Sequence, residues 1–138
     1  MRDPSEYSKI SWDEAQGGRV GPLPADHVFP SDVALTLKPY TIPLQTEYVA
    51  LSLCHIAPGE SSEMERTKVA EEVYYIAQGR IRFRIGKKDV EAKQHDAVRV
   101  PAHVVRALHN DSSEDCWLLV MAAPIDEFLE HYKKAGLM

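Results

Sequence analysis

The chain has 138 residues, 44% hydrophobic and 27% charged, which suits one globular domain large enough to bury a core. A formal net charge of −5 argues against a nucleic-acid partner, because non-specific binding to phosphates needs dense Lys/Arg faces. No apolar run reaches the about 18 residues that span a bilayer, so no membrane partner is expected.

The N-terminus, MRDPSEYSKISW, lacks the apolar stretch of a secretory signal, and a cytoplasmic location is expected. Cys54 and Cys116 sit inside apolar runs without CxxC spacing, which reads as two reduced core thiols. Residues 1–32 form an arm, rich in Gly and Pro, in which Pro22, Pro24 and Pro30 forbid a continuous helix or central strand. Ser11 and Glu14 are spaced to cap one helical turn there. The arm either frays or lies across the body or a partner subunit.

A body over 33–123 follows. Val33–Leu37 reads as a short strand ended by Lys38-Pro39. YVALSLCHI at 48–56 is a strong strand, with Leu51, Leu53 and His55 on one face and Ala50, Ser52, Cys54 and Ile56 on the other. PGESSEMERTKVAEEVYYIAQG, Pro58–Gly79, begins as a Pro-Gly turn and a charged loop. It becomes a strand over Glu72–Ala77 and stops at Gly79. Ile81, Phe83 and Ile85 then alternate with Arg80, Arg82 and Arg84, a half-buried strand whose basic outer face reads as solvated. Asp89–Ala92, Ala97–Val100, Val104–Leu108 and Cys116–Ala122 are further strands, with NDSSED at 110–115 as a turn. Over 124–138, IDEFLEHYKKAG places Ile125, Phe128, Leu129 and Tyr132 at helical spacing before a C-capping Gly136. About eight short strands separated by turn signals call for an antiparallel barrel or jelly roll.

Two stretches carry a family resemblance. Gly59, Glu65, Thr67, Glu72 and Gly79 stand at the spacing of the first cupin motif, G-x5-H-x-H-x4-E-x6-G. His95, Pro101, His103, Arg106 and Asn110 stand at that of the second, G-x5-P-x-G-x2-H-x3-N. In both the match is free of gaps, and the chain resembles the cupin family over residues 33–123. The resemblance implies an all-β fold, a double-stranded β-helix of two sheets, and a homodimer paired through those sheets. Cupins commonly hold a divalent metal with two histidines and a glutamate from the first motif and a histidine from the second. Those four places carry Glu65, Thr67, Glu72 and Arg106 here. Arginine cannot lose its proton and brings positive charge to the cation's place, while threonine is a poor donor. No metal cofactor is expected.

In the resemblance's barrel Glu65, Glu72 and Arg106 face one cavity. A guanidinium between carboxylates is either an internal ion pair filling a lost site or the receiver of a ligand's anionic group. Glu72 and Tyr74, two apart on a strand, share a face, and are the candidate catalytic pair. Arg106, Glu65, Thr67, His55 near its strand end and His103 at the rim are the candidate ligand-binding residues. The functions that fit are a metal-independent protein that binds, isomerises, cyclises or dehydrates an anionic or hydroxylated metabolite, a metal-dependent dioxygenase or isomerase with a rearranged site, and a non-catalytic ligand sensor.

Overall fold

In a computed structural model, residues 8–11, 14, 18–20, 35–62 and 64–134 are described. Among the described residues, the strong alternation of the sequence becomes nine strands and two short helices. In chain order they are β1 Gly18–Val20, β2 Leu35–Pro39, α1 Thr41–Leu44, β3 Ala50–Ile56, β4 Glu71–Gln78, β5 Arg80–Ile85, β6 Lys88–Lys93, β7 Ala97–Val100, β8 Arg106–His109, β9 Cys116–Ala123 and α2 Asp126–Lys134. All pairings are antiparallel, in a larger sheet ordered β1-β2-β3-β9-β4-β7 and a smaller one ordered β6-β5-β8. This is the all-β jelly roll that the strand spacing predicts.

The core lies between the sheets. Phe83, Ile76, Ile56, Leu118, Val100 and Cys116 are fully buried, and Tyr74 meets Phe83 edge-on at 5.1 Å. Removing a side chain such as Phe83 or Leu118 from water stabilises the fold by about 1.5–3 kcal/mol. The chain passes from the large sheet to the small one at Gly79, whose φ of 84° places it in the left-handed region. A Cβ there would collide with the Asp115 carbonyl oxygen, so the crossing requires glycine.

Three expected boundaries move. β8 begins at Arg106 and not Val104, because the preceding turn is held by the His103 N–H donating to Thr67 O at 2.8 Å. β3 begins at Ala50, leaving Tyr48 78% exposed. The strand expected from Val33 is described from Leu35 and continues to Pro39, opposite Ser52; Val33 and Ala34 lie outside the described residues. Within the segment read as an arm, Gly18–Val20 adds an edge strand against β2. Glu14 N–H donates to Ser11 O at 3.2 Å and the Ser11 hydroxyl donates to Glu14 Oε1 at 2.7 Å, a turn without the expected side-chain cap, while Pro22, Pro24, Pro30 and Gly136 lie outside the described residues. α2 packs Phe128 and Leu129 against Ala50, Ala122 and Ile125.

The segment read as a charged loop, 58–70, does more than connect. It runs beside the open edge of β8, through bridges of Ser61 with His109 and Glu65 with Arg106. Gly59 N–H donates to Asn110 O at 2.8 Å, Ser62 N–H to Leu108 O at 2.7 Å, and Glu65 and Arg106 exchange two bonds of 2.8 Å. It therefore covers the edge of the small sheet.

Candidate active site

The first-motif strand and the segment beside β8 bring the expected residues to one end of the barrel. β4 exposes Glu71 and turns Glu72, Tyr74 and Ile76 inward, all buried. β8 points Arg106 inward from the opposite sheet, and its side chain is wholly enclosed. Arg106 Nη1 lies 3.5 Å from Glu72 Oε1, while Nη2 donates to Pro101 O at 3.1 Å. The ion pair is therefore with Glu72. At that separation and geometry it is charge proximity without a hydrogen bond, and Arg106 Nε and Nη1 have no hydrogen-bond acceptor among the described residues. Two buried guanidinium donors without acceptors are rare in a native interior.

Tyr74 Oη donates to Glu72 Oε1 at 2.7 Å. Burial raises the Glu72 carboxyl above its ordinary range, against the opposing pull of the Arg106 charge and the Tyr74 hydrogen bond, and the Glu127 carboxylate adds to the rise. Burial likewise lifts the Tyr74 phenol far up, aided by the negative charges of Glu72 and Glu65. Both groups are therefore held toward their protonated forms.

The remaining predicted site residues divide. Thr67 is buried, but its hydroxyl donates to Ala70 O at 2.5 Å, which spends its single proton on the local turn. Glu65 is half-buried and acts electrostatically on Tyr74 and Cys54. His103 is exposed at the rim, with φ 70°. His55 requires a correction. The buried face of β3 is Ala50, Ser52, Cys54 and Ile56, so His55 lies outside the barrel, 2.9 Å from Asp115 and stacked on Trp117. The alternation separates the two faces of β3 and does not say which of them is inward.

One feature had no signal in the motif spacing. Glu127, from the first turn of α2, accepts from the backbone N–H groups of Lys68 at 2.5 Å, Val69 at 3.0 Å and Ala70 at 3.1 Å. Asn110 closes the second motif with its side chain tied to Ile56, Ser112 and Glu114. Elsewhere, an outer cleft of about 630 Å³ is lined by Arg80, Arg82, Glu91, Lys93, Asp111 and Ser112. It sits at the end of β5 away from Arg106, and Arg82 there is already bonded to Asp111 at 2.6 Å. That mixed-charge surface carries no chemistry comparable to the enclosed cluster.

A divalent metal of the usual kind does not fit this donor set. Arg106 occupies the place of one ligand, Thr67 has committed its hydroxyl, and Glu72 accepts from Tyr74. Among the described residues, no three His, Cys, Asp or Glu side chains converge as a cation site would need.

The two cysteines bear on reactivity. Cys54 and Cys116 are buried free thiols. Burial pushes Cys116 up to about 11, and burial with the Glu65 and Glu72 charges raises Cys54 well above its ordinary value. The thiolate is the reactive form. A thiol-specific chromogenic reagent is expected to leave the native protein untouched at neutral pH and to titrate 2 thiols after unfolding. Rapid native labelling would show that the interior opens readily.

Comparison with known proteins agrees with this architecture. The profile of the cupin domain matches residues 52–122. No curated protein matches the chain. Among solved structures, a protein from Thermotoga maritima described as a predicted oxalate decarboxylase superposes with a TM-score of 0.68 at 16% identity, covering 84% of this chain and 98% of that one. A cupin protein from Bacteroides fragilis gives 0.66 at 20% identity, covering 88% and 87%. An uncharacterized protein with a double-stranded β-helix domain from Klebsiella pneumoniae gives 0.63 at 16% identity, covering 74% and 87%. At these identities the likeness is one of fold. Among the described residues, no helix is long and apolar enough to cross a membrane.

Proposed function

The chain belongs to the cupin family, and from that premise we propose that its barrel interior is a metal-independent site for a small anionic or hydroxylated metabolite. The observation that carries this reading is the pair of buried, acceptorless donors on Arg106. Each such group costs about 1–3 kcal/mol when left unmade, and a carboxylate or phosphate oxygen supplied by a ligand would meet the need directly.

Glu72 and Tyr74 are then placed to handle a proton beside the anchored anion. An ionised Glu72 would take a proton from the ligand, and Tyr74, already bonded to it at 2.7 Å, would steady the charge or return a proton. A carboxyl raised toward neutrality suits that exchange. Isomerisation, cyclisation and elimination all consist of such transfers. The solved neighbour described as a predicted oxalate decarboxylase makes small carboxylic acids a sensible first class of ligand. With Arg106 and Glu72 closed to solvent, binding requires the mouth of the barrel to open.

The same reading takes the protein as a homodimer. It is supported by the outward face of the larger sheet, where Leu51, Leu53, Val73, Tyr75, Leu119 and Met121 form half-buried apolar rows. Buried free thiols suit a reducing cytoplasm.

Thermal-shift screening against hydroxy acids, keto acids and sugar phosphates is the decisive measurement. A ligand of the folded state raises the melting temperature, and that rise is expected to vanish in Arg106→Met. Stoichiometric iron, manganese, nickel or zinc in protein purified without chelators would overturn the metal-independent reading. Binding without turnover would leave a sensor in place of an enzyme.

A further inference from the structure

Three successive backbone amides that converge on one carboxylate form an anion-binding concavity. Here they belong to Lys68, Val69 and Ala70, and the carboxylate is the chain's own Glu127, reached from a surface helix. We propose that this nest is an oxyanion-binding subsite at the mouth of the barrel, held by Glu127 as an internal occupant and open to a competing external carboxylate or phosphate.

Position supports this. Strand register puts Glu71 opposite Ala123 and Ala50 opposite Ala122, so the nest, the start of α2 and the start of β3 share one end of the larger sheet. The turn containing Pro101 lies at that end too, since Val100 is opposite Glu72. The Glu127 charge reaches Glu72, which it pushes upward. The nest is thus near the enclosed cluster but separate from Arg106, and it stands whether or not Arg106 binds anything.

The surroundings suit a ligand more than a purely structural tie. Val69, in the middle of the nest, is 68% exposed, and Tyr48 and Val49 are exposed at the same end. An amphipathic acid would place its oxyanion on the amides and its apolar body on these side chains. The donors are backbone amides, which hold an anion through hydrogen bonds and partial positive charge and not through a counter-ion. Glu127 competes for the site as a tethered anion, at an effective concentration that a free anion can match. Displacement would free the first turn of α2, linking occupancy of the nest to the mouth above Glu72.

Amide shifts of Lys68, Val69 and Ala70, followed by NMR while acetate, octanoate or inorganic phosphate is titrated against a chloride control, read this site alone. Wild type is expected to bind weakly, and Glu127→Gln, which keeps the side chain's size but removes its charge, about tenfold more tightly. Octanoate binding more tightly than acetate would place the apolar body on Val69 and Tyr48, and equal binding would confine recognition to the oxyanion. Glu127→Ala should behave as Glu127→Gln does. If it does not fold, Glu127→Gln alone decides. Equal affinity in wild type and Glu127→Gln, or no saturable shift at these three amides, overturns the proposal.

Discussion

Arg106→Met is expected to destabilise the protein by about 3–5 kcal/mol in urea unfolding at neutral pH, and to recover as the pH falls. It takes away the cation 3.5 Å from Glu72, and an enclosed carboxyl without that charge becomes neutral only by taking up a proton. Glu72→Gln should behave differently. Glutamine resembles the protonated carboxyl toward which burial already holds Glu72, and its amide oxygen can still accept from Tyr74. Its cost should be much smaller and should not deepen as the pH rises. The double variant Glu72→Gln with Arg106→Met should return most of the stability lost in Arg106→Met and show no acid recovery, as exchanges of buried pairs for uncharged residues commonly do. A pH-independent loss in Arg106→Met, or a loss in Glu72→Gln as large as that of Arg106→Met, would show that the two charges are not the interacting groups.

The wild type carries a weaker form of the same dependence. Glu72 is raised above its ordinary range, chiefly by burial, even with Arg106 pulling the other way. The folded state therefore holds the Glu72 proton more firmly than the unfolded chain does. Its contribution to stability is complete below the ordinary carboxylate range and is lost as pH climbs through the raised folded value. That slope should be absent from Glu72→Gln.

How far the sequence revealed this arrangement depends on what kind of interaction makes each part. β5 was legible because Ile81 and Phe83 are buried while Arg80 and Arg84 are exposed, so its side chains announce their faces. The same period-two pattern in β3 separated two faces but did not rank them. Leu51 and Leu53 are bulkier than Ala50, Ser52 and Cys54, yet the smaller set is inside. The cause lies in the partner strands and helix, where Ala50 meets Ala122 and Ile125. Segment 58–70 reads as a loop because its side chains are polar, whereas its pairing with β8 is made by backbone groups that leave no trace in residue type. The Glu127 tie spans 57 to 59 positions, a separation at which no local pattern exists. The motif spacing located Glu72 and Arg106 together, and only coordinates could show that the guanidinium is fully enclosed with two donors unmet.

Asn110 gives the second large effect, and it separates hydrogen bonding from shape. Its side chain is buried, with Nδ2 donating to Ile56 O and Glu114 O at 2.8 Å each. Its Oδ1 accepts from Ser112 N–H at 3.0 Å and from the Ser112 hydroxyl at 2.7 Å. Its own backbone joins the segment beside β8, with N–H donating to Glu60 O at 2.9 Å. The side chain thus fastens the end of β3 to the 110–115 turn, while the backbone of the same residue holds that segment. Asn110→Ala removes four bonds and leaves the Ile56 carbonyl without this buried donor, an expected loss of about 3–4 kcal/mol. Asn110→Asp keeps the shape almost unchanged but should be worse than alanine at neutral pH. It faces two carbonyl oxygens with an acceptor and buries a negative charge beside them. Acidification should narrow the gap, because the protonated carboxyl regains one donor. An aspartate variant as stable as wild type at neutral pH would mean that the fold relies on filling this space and not on the two carbonyls it satisfies.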